Sequence, residues 1–162
     1  VIHGSIKYAV LGKYHAEFDK FNGIIKFDEK NISNSSISLK IDVASINSVH
    51  PRLDRIIRSK RLLDVKQYPD STFKSQAIKK INDGYKVTGV LELHGVKREI
   101  SFPFYLVGPS KELNGSETIK ATGKWIVNRK DFDVIWNKFL DRAGIIVGNH
   151  VSIDWEIEAH QK

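Results

Sequence analysis

Histidine is the side chain best suited to bind a metal or move a proton near neutral pH, and six are scattered along this chain: His3, His15, His50, His94, His150 and His160. No two stand four residues apart, so none forms the pair that presents two ligands on one helical face in a zinc motif. His94 falls in a turn and His150 just ahead of a strand, where histidines are commonly structural or solvent-facing. The chain has no cysteine, which excludes a thiol nucleophile, a thiolate metal site and any disulfide. It also has no G-x-S-x-G elbow, no phosphate-binding glycine loop and no dinucleotide fingerprint. Most Asp and Glu residues alternate with apolar ones, as outward strand positions do. One route to catalysis is left, a hydrolase or metal site assembled across strands. Nothing in the sequence requires a cofactor.

Charge is the second chemical resource. The net charge is +7 with a pI near 9.5, which permits attraction to anionic membranes, phosphorylated lipids or nucleic acid. The densest basic cluster runs from Arg52 through Arg55, Arg58 and Lys60 to Arg61. Elsewhere the aromatics share the apolar face and the basic residues take the other. That separation argues against a nucleic-acid platform, which interleaves the two.

Strands must position these residues. Ile37, Leu39, Ile41 and Val43 alternate with polar neighbours. So, apart from Ile126, do Ile119, Ala121, Gly123, Trp125 and Val127, and again Val151, Ile153, Trp155 and Ile157. Each run is an antiparallel strand covered on one side. Residues 87–102 read as a hairpin turning at His94-Gly95. The stretch Ile100 to Leu106 is apolar on both faces and is expected to touch something on both. Turn signals occur at Asn22-Gly23, Asn31 to Ser36, Asn82-Asp83-Gly84, Pro109-Ser110 and Asn114-Gly115. One segment breaks the pattern: after Pro51, the residues Leu53, Ile56 and Ile57 share a helical face, predicting a short helix over about 51–60. A second helical turn or irregular cap is expected between Arg129 and Leu140, where Phe132, Trp136, Phe139 and Leu140 form a broken apolar stripe.

With 162 residues, 41% of them hydrophobic, no linker and no internal repeat, the chain reads as one domain over 1–162. The fold class is all-β: an antiparallel up-and-down barrel of about eight strands with one or two short helices capping a mouth. No run of eighteen apolar residues is present to form a membrane helix.

Taken in order, several segments resemble the YceI-like family of bacterial lipid-binding proteins. They are Val43-Ala44-Ser45-Ile46, Asp64-Val65-Lys66-Gln67-Tyr68-Pro69, the 87–102 hairpin, Arg129-Lys130-Asp131-Phe132 and Val147-Gly148-Asn149-His150-Val151. Leu53 precedes Asp54 where that family commonly has an arginine. The resemblance implies a lipocalin-like barrel around an apolar tunnel that holds a polyisoprenoid, quinone-like or fatty chain, with no catalytic residues. It also implies a periplasmic or secreted location. Methionine is absent throughout, so Val1 is expected not to be the translated start; a secretory signal, a tag and a disordered segment are each compatible with what preceded it, and the resemblance implies a signal peptide.

Inward parity selects the expected lipid-binding positions: Phe27, Leu39, Ile41, Phe73, Leu91, Phe102, Phe104, Trp125 and Ile153. Ile56, Ile57, Leu62 and Leu63, together with Leu53, are expected to gate the mouth. Arg55 and Arg58 there would meet a lipid head group or an anionic membrane. The alternative for Arg58 is an ion pair with Asp54 or Asp64 that merely holds the helix. Two other functions stay open: an interaction module with a filled core and a basic docking face, and the hydrolase or metal enzyme. Monomer and homodimer are both compatible with the sequence.

Overall fold

A computed structural model describes residues 2–3, 6–11, 14–111, 115, 117–135 and 148–160. Among the described residues, eleven strand segments form a single antiparallel sheet: β1 (Ile2–His3), β2 (Ile6–Leu11), β3 (Tyr14–Phe18), β4 (Phe21–Lys26), β5 (Ser36–Asp42), β6 (Ile46–Asn47), β7 (Asp70–Ile81), β8 (Gly84–Leu93), β9 (Val96–Lys111), β10 (Glu117–Asn128) and β11 (His150–His160). The hydrogen-bonded order is β4-β5-β7-β8-β9-β10-β11-β2-β3-β6, with β1 also on β11.

That order has to curl. β4 stands at one end and β3 near the other, yet only Asp19 and Lys20 separate them along the chain. β5 and β6 are likewise joined through a 3-10 turn, Val43–Ser45. The Asp19 N–H donates to the Ser45 carbonyl at 3.2 Å and the Asp42 N–H to the Lys20 carbonyl at 3.0 Å, stitching the junction. Residues 14–26 thus act as one bent strand paired with a second bent strand, 36–47. Counted so, with β1 and β2 likewise merged, the eleven segments make an eight-stranded up-and-down barrel.

Parity follows the sequence pattern on the long strands. Leu91, Phe73, Phe102, Phe104, Ala121 and Val127 point inward and are buried. Outside, Lys124 pairs with Asp154 directly opposite it at 3.5 Å. Three expectations change. Asn22-Gly23 is not a turn but lies within β4, where Gly23 faces Leu39; a Cβ there would stand 2.5 Å from the leucine side chain. Pro109-Ser110 does not end β9, which continues to Lys111 through a register shift opposite Thr118 and Lys120. Tyr105 and Val107 are exposed, so β9 packs on its inner face only.

The helix α1 spans Pro51–Arg58 and follows β6. Proline at its first turn needs no N–H partner. Asp54, buried, accepts from the Ser48 N–H at 2.8 Å and the Ser48 hydroxyl at 2.6 Å, which ties the helix to the strand before it. Leu53 and Ile57 are buried against the barrel. A 3-10 turn, Arg129–Phe132, begins the expected second cap; Trp136, Phe139 and Leu140 lie outside the described residues. α1, the His94-Gly95 turn and the Arg129–Phe132 turn share one end of the barrel. The turns 27–35 and 81–84 occupy the other.

Candidate lipid-binding cavity

The helix end of the barrel is hollow. A cavity of about 1370 Å³, counting space continuous with solvent, runs between the strands and under α1. Leu39, Ile41, Phe73, Leu91, Phe102, Trp125 and Ile153 line it, as do Ile57, Leu62 and Leu63 from the helix and the loop after it. Further inward positions of the same strands also line it, among them Ile37, Val127, Val151, Trp155 and Ile157, with Ile25 added from β4. Their alternation was visible in the sequence, so these residues were within reach of the argument that found the others.

Phe27, Ile56 and Phe104 do not line the cavity. Ile56 is half-buried; one residue is about 100° of helix rotation, so Ile57 takes the inward point and Ile56 packs beside it. Phe104 does point inward, but deeper, where it is 2% exposed and stacks on Tyr85 at 5.4 Å. Phe27 meets the same Tyr85 edge-on at 5.5 Å. Phe104 fills the bore rather than lining it, and half-buried Phe27 packs on Tyr85. Leu53 is likewise core, not gate.

Apart from the tryptophan indoles, only two lining residues among the described ones carry polar side chains, Ser71 and Arg129. The Ser71 hydroxyl donates to the Glu92 carbonyl at 2.8 Å. Arg129 is buried and clamps the helix-end loops: its Nε donates to the Gly148 carbonyl at 2.9 Å, Nη1 to the Val134 carbonyl at 2.6 Å and Nη2 to Asn149 Oδ1 at 3.1 Å. These bonds join the end of β10 to the start of β11. The rest of the wall offers hydrocarbon and aromatic faces, a surface that binds by excluding water and gives little orientation to a polar substrate. Among the described residues no three His, Asp or Glu side chains come together to hold a metal.

The two mouth arginines separate. Arg55 is exposed. Arg58 is half-buried and its guanidinium donates to the Ile46 carbonyl, not to Asp54 or Asp64. It holds α1 against β6.

This geometry has counterparts. The YceI-like domain model matches residues 2–159. The chain belongs to the YceI-like family. The UPF0312 protein VPA0850 of Vibrio parahaemolyticus is 36% identical over 137 residues, covering 82% of this chain and 72% of the relative. Among solved structures, BcnA of Burkholderia cenocepacia superposes with a TM-score of 0.84 at 25% identity, covering 96% of this chain and 95% of that one. A polyisoprenoid binding domain from Saccharophagus degradans, implicated in plant cell wall breakdown, has the same fold, with a TM-score of 0.71 at 15% identity over 98% of this chain and 92% of its own.

Proposed function

We propose that this YceI-like protein binds one long apolar lipid (a polyisoprenoid, quinone-like or fatty chain) inside the barrel and carries or stores it in the cell envelope, in the periplasm or secreted, without catalysing a reaction. The observation that carries this reading is the apolar wall of the cavity, whose Ser71 and Arg129 side chains both bond to the protein's own backbone. The fold shared with a polyisoprenoid binding domain supports it. The hollow interior favours it over a filled-core interaction module. Burial of each methylene is worth about 0.8 kcal/mol, so a chain of roughly fifteen gains about 12 kcal/mol before the costs of association. Selectivity among head groups is then loose.

Loading requires contact with a membrane, and α1 offers a face for it. Arg52 and Arg55 are exposed on the helix, and Val49, just before it, is 85% exposed. Each basic residue near an anionic bilayer contributes about 1 kcal/mol. Native mass spectrometry of untreated protein should retain a lipid mass, and titration with a long-chain lipid should change the fluorescence of Trp125 and Trp155 in the wall. A folded protein that neither retains nor takes up such a lipid overturns the reading. Transfer from anionic vesicles should slow in Arg52→Ser/Arg55→Ser and lose part of its salt dependence; an unchanged rate removes the membrane contact alone.

A further inference from the structure

The lining of the cavity ends part-way along each of four successive strands. On β7 the wall includes Ser71 and Phe73 but not Ile78; on β8, Leu93 and Leu91 but not Val87 or Tyr85. On β9 it includes Ile100 and Phe102 but not Phe104, and on β10 Val127 and Trp125 but not Ala121. Beyond the lining the inward side chains are packed: Val87 is fully buried, Ala121 is 1% exposed, Phe104 2% and Ile78 5%. An aromatic diagonal crosses the bore there. Phe27 stands edge-on to Tyr85, Tyr85 stacks on Phe104, and Phe104 tilts against Trp155 at 6.3 Å. Among the described residues the wall reaches lower on β4, β5 and β11, to Ile25, Ile37 and Ile157.

Two glycines make room for large rings along the bore, Gly123 standing opposite Phe104. Gly89 lies under the Phe73 ring and Gly123 under the Trp155 indole; a Cβ would come within 2.7 Å of the first and 2.5 Å of the second. Both large side chains therefore lie against the wall instead of across the space. The restriction on a bound chain is at the bottom.

We infer that the Phe27–Tyr85–Phe104 floor sets the length of hydrocarbon this cavity accepts, with the tail terminus seated beside Ile25, Ile37 and Ile157 and any excess left at the helix end. This rests on the lipid-binding reading above. Up to the floor each added methylene is buried and strengthens binding about fourfold; beyond it, added methylenes stay in water and affinity levels off.

The test is displacement of a fluorescent fatty acid from the full chain by straight-chain fatty acids of increasing length, from medium to very long. The parent should show a rise and then a plateau. Tyr85→Ala and Phe104→Ala should move the plateau to longer chains, and Ile25→Phe should move it to shorter ones, with the rise before it unchanged. Far-UV circular dichroism identifies the folded variants; if Phe104→Ala fails to fold, Tyr85→Ala and Ile25→Phe still decide the matter. A parent that binds chains with no plateau, or a plateau unmoved in the folded variants, overturns the floor and leaves lipid binding intact. A parent that binds no chain of any length overturns the lipid reading itself.

Discussion

The two ends of this barrel are built from the same alternating strands and differ in what occupies the bore. At the helix end, inward Leu91, Phe102 and Trp125 face space; at the other, inward Val87, Phe104 and Ala121 face one another. The hollow end must draw its order from elsewhere. Arg129 ties three loop acceptors together, Arg58 holds the Ile46 carbonyl, and Asp54 anchors α1 to Ser48. Polar clamps from buried or half-buried side chains hold the hollow end, while the filled end adds the hydrogen-bonded surface loop around Asp28 to its hydrocarbon and ring contacts. Stability and binding capacity are thus divided between the halves.

The largest test of that division is truncation at matched inward positions. Phe104→Ala should cost about 3–5 kcal/mol, because a ring at 2% exposure leaves a void its neighbours cannot close. Leu91→Ala should cost nearer about 2 kcal/mol, since part of its surface already faces the cavity. Urea denaturation of ligand-free protein reads both. Equal losses would mean that the hollow end is as tightly packed as the floor.

Next come the clamps. Asp54→Ala leaves the Ser48 N–H without its acceptor and should cost about 1–3 kcal/mol. It should also speed lipid release, because α1 carries Ile57 of the cavity wall. Loss of stability with an unchanged release rate would separate the clamp from the mouth.

A smaller effect, of opposite sign, is expected at Val49. Its φ of 65° is strained for a β-branched residue, and its side chain is 85% exposed. Val49→Gly should therefore stabilise the protein by about 1 kcal/mol. If Val49 serves vesicle contact, the same variant should load lipid from anionic vesicles more slowly. A gain in stability with full transfer would make the residue strained without purpose.

Much of this was legible in the sequence. Period-two runs placed Leu39, Leu91, Phe102 and Trp125 on the inner face, and Pro51 marked the start of the helix. Depth along the bore was not legible. Alternation says whether a side chain points in, not what it meets there, so Phe104 and Phe102 read alike although one is floor and the other wall. Gly23 read as a turn because its close approach to Leu39 depends on a strand pairing sixteen residues away. Arg58 read as an ion-pair or head-group residue because a backbone carbonyl partner, that of Ile46, leaves no mark on the side-chain pattern. Contacts made by the backbone across the fold escape a reading of side-chain types.

The smallest expected effect lies in the loop that follows Phe27. Asp28 accepts the Asn31 N–H at 2.9 Å, the Asn34 side-chain amide at 3.0 Å and the Lys30 N–H at 3.0 Å. These bonds favour the charged carboxylate, the Asn31 backbone bond most, and hold its pKa below the usual aspartate value against a small opposing effect of desolvation. A carboxyl lowered in the folded state contributes its full stability above the unfolded pKa and loses it as pH falls through the folded one. The window is therefore acidic, below the ordinary aspartate range; at neutral pH Asp28→Asn should be slightly less stable than the parent, and the two should converge as pH falls through the window. The amide introduced by this substitution keeps an acceptor for the loop N–H groups but cannot gain a proton, so the variant should show a shallower acid-induced loss of stability. Salt should narrow the difference, because the site is at the surface. Urea midpoints of both proteins, followed from neutral pH into the acid window, measure it. Parallel curves would show that the loop beneath Phe27 is held without its carboxylate, leaving the aromatic contacts alone to keep that end of the barrel closed.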